Sequence, residues 1–177
     1  MKQEKLGRKA MIKSLTVFIF GFVLSTFSFA QTTFKDDNVP YTFEIPEATW
    51  RMTVKPSASN PSVEYVYGDR SDGHLEIRKI ETSPNELLSE VIEKEKEQKL
   101  QFLPGYVAGK EENFSGALSG KVFNFEFVRA GRNMSGRFYF LKADEKTVYV
   151  LRFTGERDKL RLIRNQLDII ARTFRVK

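Results

Sequence analysis

Gly136-Arg137-Phe138-Tyr139-Phe140-Leu141 and Thr147-Val148-Tyr149-Val150-Leu151-Arg152-Phe153 are the stretches that decide the fold. In an extended chain successive side chains point to opposite faces. Phe138 and Phe140 therefore oppose Tyr139 and Leu141, and Val148 and Val150 oppose Tyr149, Leu151 and Phe153. Strands that are apolar on both sides need cover on both sides. The preceding strand, Lys121 to Arg129, sets Phe123, Phe125 and Phe127 on one face, with Val122, Asn124, Glu126 and Val128 on the other. Three phenylalanines on one strand face read as core. The turn Ala130-Gly131-Arg132-Asn133 and the linker Lys142 to Lys146 are short, so neighbouring strands pair antiparallel.

Working outward, Tyr41-Phe43-Ile45 and Trp50-Met52-Val54 alternate with polar residues, as half-buried strands do. Val63 to Tyr67 and Leu75 to Ile80 flank the turn-forming Gly68–Gly73 segment and form a hairpin. Tyr106 to Phe114 is a less regular strand. Two helices supply the cover. Ser83-Pro84-Asn85-Glu86 has the pattern of a capping box with proline at the first helical position, followed by Leu87, Leu88, Val91 and Ile92 on one face. That helix runs to about Leu100 and closes at Pro104-Gly105. The second spans Glu156 to Arg172, with Leu160, Ile163, Leu167 and Ile170 recurring at helical spacing. The expected fold is α+β: one mostly antiparallel central sheet with helices on both faces.

The first thirty residues read as an export signal. Lys2, Lys5, Arg8, Lys9 and Lys13 form a positive start, Leu15 to Phe29 an apolar run, and Ser28-Phe29-Ala30 a small-x-small cleavage site before Gln31. The run is shorter than the ~20 residues of a spanning helix. Residues 31–40 are polar and read as a flexible segment, and 41–177 as a single domain. Of the 29 basic and 23 acidic residues, five and one fall in the leader, so the net charge of +6 drops to +2 in the mature part. The high pI is then no argument for a polyanion, and export excludes nucleic acid as a partner. The chain has no cysteine, so neither disulfides nor a lipidated thiol occur and stability rests on packing.

Candidate chemistry is sparse. His74 is the single histidine, and with Asp72 and Glu76 nearby it is the one candidate metal site or hydrolytic centre; the plainer reading is an edge-strand histidine in solvent. A Ser-His-Asp triad would need the same histidine, and no G-x-S-x-G elbow accompanies any serine. Arg157, Arg161 and Arg164 fall at i, i+4 and i+7 on the last helix, a stripe that fits an acidic partner or a weak contact with anionic lipid.

The order of elements resembles the PsbP-like superfamily: Tyr41-Thr42-Phe43-Glu44-Ile45-Pro46 with Trp50 beyond it, the Ser83-Pro84 helix start, Val148-Tyr149-Val150-Leu151-Arg152-Phe153, and the closing Ile170-Ala171-Arg172-Thr173-Phe174-Arg175. That group includes the extrinsic PsbP subunit of photosystem II, a nuclear Ran-binding protein and DcrB-type bacterial envelope proteins. The likeness runs from about Tyr41 to Val176. It implies an α/β/α sandwich and an accessory or binding role, not an enzyme. No metal-site residue set carries over, and the cysteine that lipidated relatives use is missing. The expectation is a monomeric accessory module, periplasmic or extracellular, without cofactor, that binds another envelope protein or a small ligand.

Overall fold

The computed structural model describes residues 32–177; the leader reading falls outside them. The described chain runs β1 (Thr32–Lys35), β2 (Tyr41–Ile45), β3 (Trp50–Val54), β4 (Val63–Tyr67), β5 (Gly73–Glu81), α1 (Leu88–Gln98), a 3-10 turn (Leu100–Phe102), β6 (Val107–Ser115), β7 (Ser119–Arg129), β8 (Arg132–Lys142), β9 (Thr147–Glu156), α2 (Arg157–Leu162), α3 (Arg164–Thr173) and β10 (Arg175–Val176). Seven strands form one sheet in the order β3-β4-β5-β9-β8-β7-β6, every pair antiparallel. The two apolar strands β8 and β9 lie at its middle, as their sequences require.

Both faces of that middle are buried against different partners. On one face, Phe123, Phe125, Phe127, Phe138, Phe140, Val148 and Val150 pack against Val91, Ile92 and Leu100 of α1 and its 3-10 extension. On the other, Tyr139, Leu141, Tyr149, Leu151 and Phe153 pack against Leu160, Ile163, Leu167 and Ile170 of α2 and α3. Phe125 anchors the first core, edge-on to Phe138 with ring centres 4.9 Å apart and stacked on Phe123 and Phe127. Its ring lies over Gly136, where a Cβ would come within 2.1 Å of it. Glycine there is a packing requirement.

Several expectations are revised. The strand Tyr41–Ile45 is not part of the central sheet: β2 sits in a separate three-stranded sheet, order β1-β2-β10. Residues 31–40, read as flexible, contribute β1, which pairs with β2, and Phe34, stacked on Phe43 at 4.7 Å. One buried aromatic among polar neighbours suffices to order a four-residue strand when it completes a core. Tyr41 and Phe43 then meet Phe174, which places the small sheet on the α3 side.

The first helix begins four residues later than its capping signature. Ser83 N–H does donate to the Glu86 carboxylate at 3.0 Å, but Asn85 takes a left-handed φ of 67°, which ends the turn. Helix α1 starts instead where Leu87 N–H donates to Glu90 at 3.0 Å, and Leu87 itself is exposed. The second helix is two: Ile163, at φ −97° and ψ 10°, separates α2 from α3. Leu160 before the break, Ile163 at it, and Leu167 and Ile170 after it all remain buried.

Beneath α1 the sheet also carries charge. Arg152 lies over the Phe138 ring, its terminal nitrogens 3.2 Å from Glu76 and 3.4 Å from Glu95, a buried residue of α1, while its Nε finds no partner among the described residues. Burial pulls this guanidinium below its ordinary range; Glu95 and Glu76 oppose the shift. Replacing Phe125 by alanine is expected to cost about 3–5 kcal/mol, read as a lower urea midpoint at unchanged slope. A loss under about 1 kcal/mol would show that the phenylalanine row is not the packed centre of that face.

Candidate functional site

On the face opposite Arg152 another charged side chain interrupts the apolar centre of the sheet. Arg137 on β8 stands opposite Asn124 on β7, on the face covered by α2 and α3, and is 7% exposed. A guanidinium in such a place must be hydrogen-bonded and paired. Its Nε donates to Tyr139 Oη at 2.6 Å, one terminal nitrogen to Asn124 Oδ1 at 2.8 Å, and the other to Asp168 Oδ1 of α3 at 3.0 Å. The Tyr139 hydroxyl donates to the same Asp168 oxygen. Burial opposes the charge on Arg137, but Tyr139 and Asp168 more than offset it, so the group stays above its ordinary range. Burial lifts the Tyr139 hydroxyl far above a normal phenol; Arg137 works against this, and Asp168, accepting its proton, adds to it.

A guanidinium carries five N–H donors. Three have protein partners, which leaves one on each terminal nitrogen. Arg137 forms part of the lining of a cleft of about 560 Å³ between β6–β8 and the α2–α3 segment, within the usual size of a ligand pocket. Arg157, Arg161 and Arg164 line it from the helical side, Asn124 and Ser135 from the sheet, with Leu160 and Leu167 between. Gly109, at the bulge of β6, completes one wall; a Cβ there would come 2.5 Å from the Asn124 carbonyl oxygen, so no other residue lets β6 lie so close.

The arginine stripe read from the sequence is therefore one wall of a cleft. The break at Ile163 does not scatter it. Arg157 lies 3.6 Å from Glu126 and Arg161 3.5 Å from Asp158, both well-exposed pairs of the kind that contribute little. Arg164 makes no ion pair among the described residues. With four arginines against Glu126, Asp158 and the Asp168 that pairs with Arg137, the cleft carries one positive charge in excess. Sequence reasoning passed over Arg137, although its signal was there: a lone charge inside Gly136–Leu141 has to be neutralised by something.

The His74 region is arranged otherwise. His74 lies on β5, inside the sheet between β4 and β9, and is nearly buried, so it is neither an edge residue nor in solvent. Its Nε2 is 2.8 Å from Glu64 on β4. Glu76 is engaged by Arg78 at 2.7 Å and by Arg152. The Asp72 carboxylate is paired with Lys159 of α2, which holds it below the ordinary carboxylate range. The three residues are drawn to separate partners, and among the described residues no group of three His, Asp or Glu side chains is placed to hold an ion.

No family profile matches the sequence, and no curated protein does. Solved structures do match. The Ran-binding protein Mog1p of Saccharomyces cerevisiae superimposes with a TM-score of 0.60 at 12% identity, covering 84% of this chain and 96% of its own. Cyanobacterial PsbP (CyanoP) of Synechocystis gives 0.57 at 13% identity, covering 89% and 99%. The fold is PsbP-like. LpqN of Mycobacterium tuberculosis, a protein involved in cell envelope biogenesis, shares it with a TM-score of 0.54 at 15% identity, covering 83% and 90%. The PsbP-like resemblance read from the sequence is thus matched in three dimensions, at identities that speak for the fold alone.

Removing the Asp168 carboxylate (Asp168→Ala) leaves Arg137 charged and unpaired and is expected to destabilise the protein by about 3 kcal/mol, measured by urea unfolding at neutral pH. An unchanged midpoint would mean that Arg137 is held by something else. Alkaline titration probes the tyrosines. Burial raises Tyr65 to about 12 and Tyr41 and Tyr139 further. In the unfolded chain they ionise near pH 10, so their contribution is full below that and is lost as pH rises above it. Each then removes about 1.4 kcal/mol per pH unit. Tyrosinate absorbance of these residues should appear together with unfolding, and its appearance in the folded protein near pH 10 would contradict their burial.

Proposed function

We propose that this protein is an exported, non-catalytic binding module of the bacterial cell envelope, and that the arginine cleft is where it holds an anionic group of a partner or small ligand. The observation that carries the reading is Arg137, fixed by Asn124, Tyr139 and Asp168 with two N–H donors left over on the lining of an open cleft. Arginines do not exchange protons near neutral pH. A cleft walled by four of them suits holding an anion better than acid–base chemistry. Export is supported by the sequence of residues 1–30, and an envelope setting by the PsbP-like fold of LpqN.

The test has two parts. Mass spectrometry of the protein recovered from envelope fractions is expected to give an N-terminus at Gln31; full-length protein confined to the cytosol would end the export reading. Cross-linking in intact cells is expected to yield a defined envelope partner or ligand with the wild type and to lose it with Arg157→Gln/Arg161→Gln/Arg164→Gln. Equal recovery with that variant would place the binding surface elsewhere.

A further inference from the structure

We infer that the anion the cleft accepts is a phosphate-type group carried by a small soluble molecule, a phosphomonoester or inorganic phosphate. The inference rests on the reading of this cleft as an anion site. Its ground is the direction from which donors arrive. Arg137 and Ser135 lie two residues apart on β8 and come from the sheet, while Arg157, Arg161 and Arg164 come from the helical wall. A carboxylate offers two coplanar oxygens and is satisfied by one guanidinium fork. A phosphomonoester offers three oxygens in a tetrahedral arrangement and uses donors from several directions at once. Its charge, about −1.5 to −2 at neutral pH, is of the sign that the cleft's positive excess attracts.

The donors still open are the right ones. Glu126 and Asp158 are engaged by Arg157 and Arg161, so their negative charge is partly answered at the rim. The two remaining N–H bonds of Arg137 and the unpaired Arg164 are then the strongest free donors in the lining. The Ser135 hydroxyl makes no hydrogen bond among the described side chains and supplies a further one. Asp168 and Tyr139 do not touch the anion; they keep Arg137 flat and charged, and are positioning residues. At about 560 Å³ the cleft between sheet and helix has room for a small phosphorylated molecule.

Isothermal titration of the mature chain with inorganic phosphate, glycerol 3-phosphate, glutarate, and vesicles of phosphatidylcholine with or without phosphatidic acid tests this. Phosphate and glycerol 3-phosphate are expected to bind, at least tenfold more tightly than glutarate. Their affinity should rise as pH passes upward through about 6, where the phosphomonoester loses its second proton while the arginines stay charged. Arg137→Lys, which keeps the charge and removes the fork, and Arg157→Gln/Arg161→Gln/Arg164→Gln, which alters exposed positions only, should each weaken binding tenfold or more with the melting transition retained in the triple variant. Glutarate binding as tightly, and lost in the same variants, overturns the phosphate class and leaves the anion cleft standing. Binding to phosphatidic acid vesicles alone overturns the soluble source. Phosphate binding untouched by the triple variant overturns the location, and no anion bound by the wild type overturns both this inference and the functional reading beneath it.

Discussion

Two-sided burial of β8 and β9 is the constraint from which the architecture follows. A strand greasy on both faces is unstable at an edge or on a surface, so these two become the centre of the seven-stranded sheet and each face acquires its own cover. The covers are unequal. One face meets α1 and its short extension; the other meets α2, α3 and the small β1-β2-β10 sheet, where Tyr41, Phe43 and Phe174 close an aromatic cluster. The absence of cysteine is met by packing of this kind.

Against that background Arg137 is an expensive choice. A buried ion pair seldom stabilises more than well-packed apolar side chains of the same volume. The three side chains that hold it, Asn124, Tyr139 and Asp168, come from both strands and from α3, so the sheet and the helix must be assembled before the guanidinium is satisfied. What the fold gains is a fixed, nearly buried cation on the sheet side of the cleft, with arginines of α2 and α3 on the helical side. A buried donor held by three partners and exposed ones on the helical wall divide orientation from attraction.

The strands were legible because period-two alternation survives tertiary context: β2, β4 and the phenylalanine row of β7 lie where the pattern sets them. Sheet membership was not. Nothing in Tyr41-Phe43-Ile45 distinguishes a strand of the central sheet from one packed across it, since both bury one face. Helix ends were blurred for local reasons. Ser83-Pro84-Asn85-Glu86 is a sound start signal that Asn85 overrides with a left-handed backbone, and the break at Ile163 is marked by neither Pro nor Gly. The arginine stripe could be read from spacing alone. The cleft could not, because its other half comes from Arg137, Ser135 and Gly109, distant in sequence and joined only by strand pairing.

The charged contact beneath α1 has a consequence of its own. Apolar contact is non-directional, so a short amphipathic helix resting on a bed of phenylalanines can slide or rotate at little cost. Arg152, clasped between Glu76 below and Glu95 above, acts as an index pin. Moving α1 by one turn would carry Glu95, with its helix partner Lys99, away from Arg152 and leave that half-buried guanidinium to Glu76 alone, so that one seating of the helix is favoured over the many that grease alone would permit.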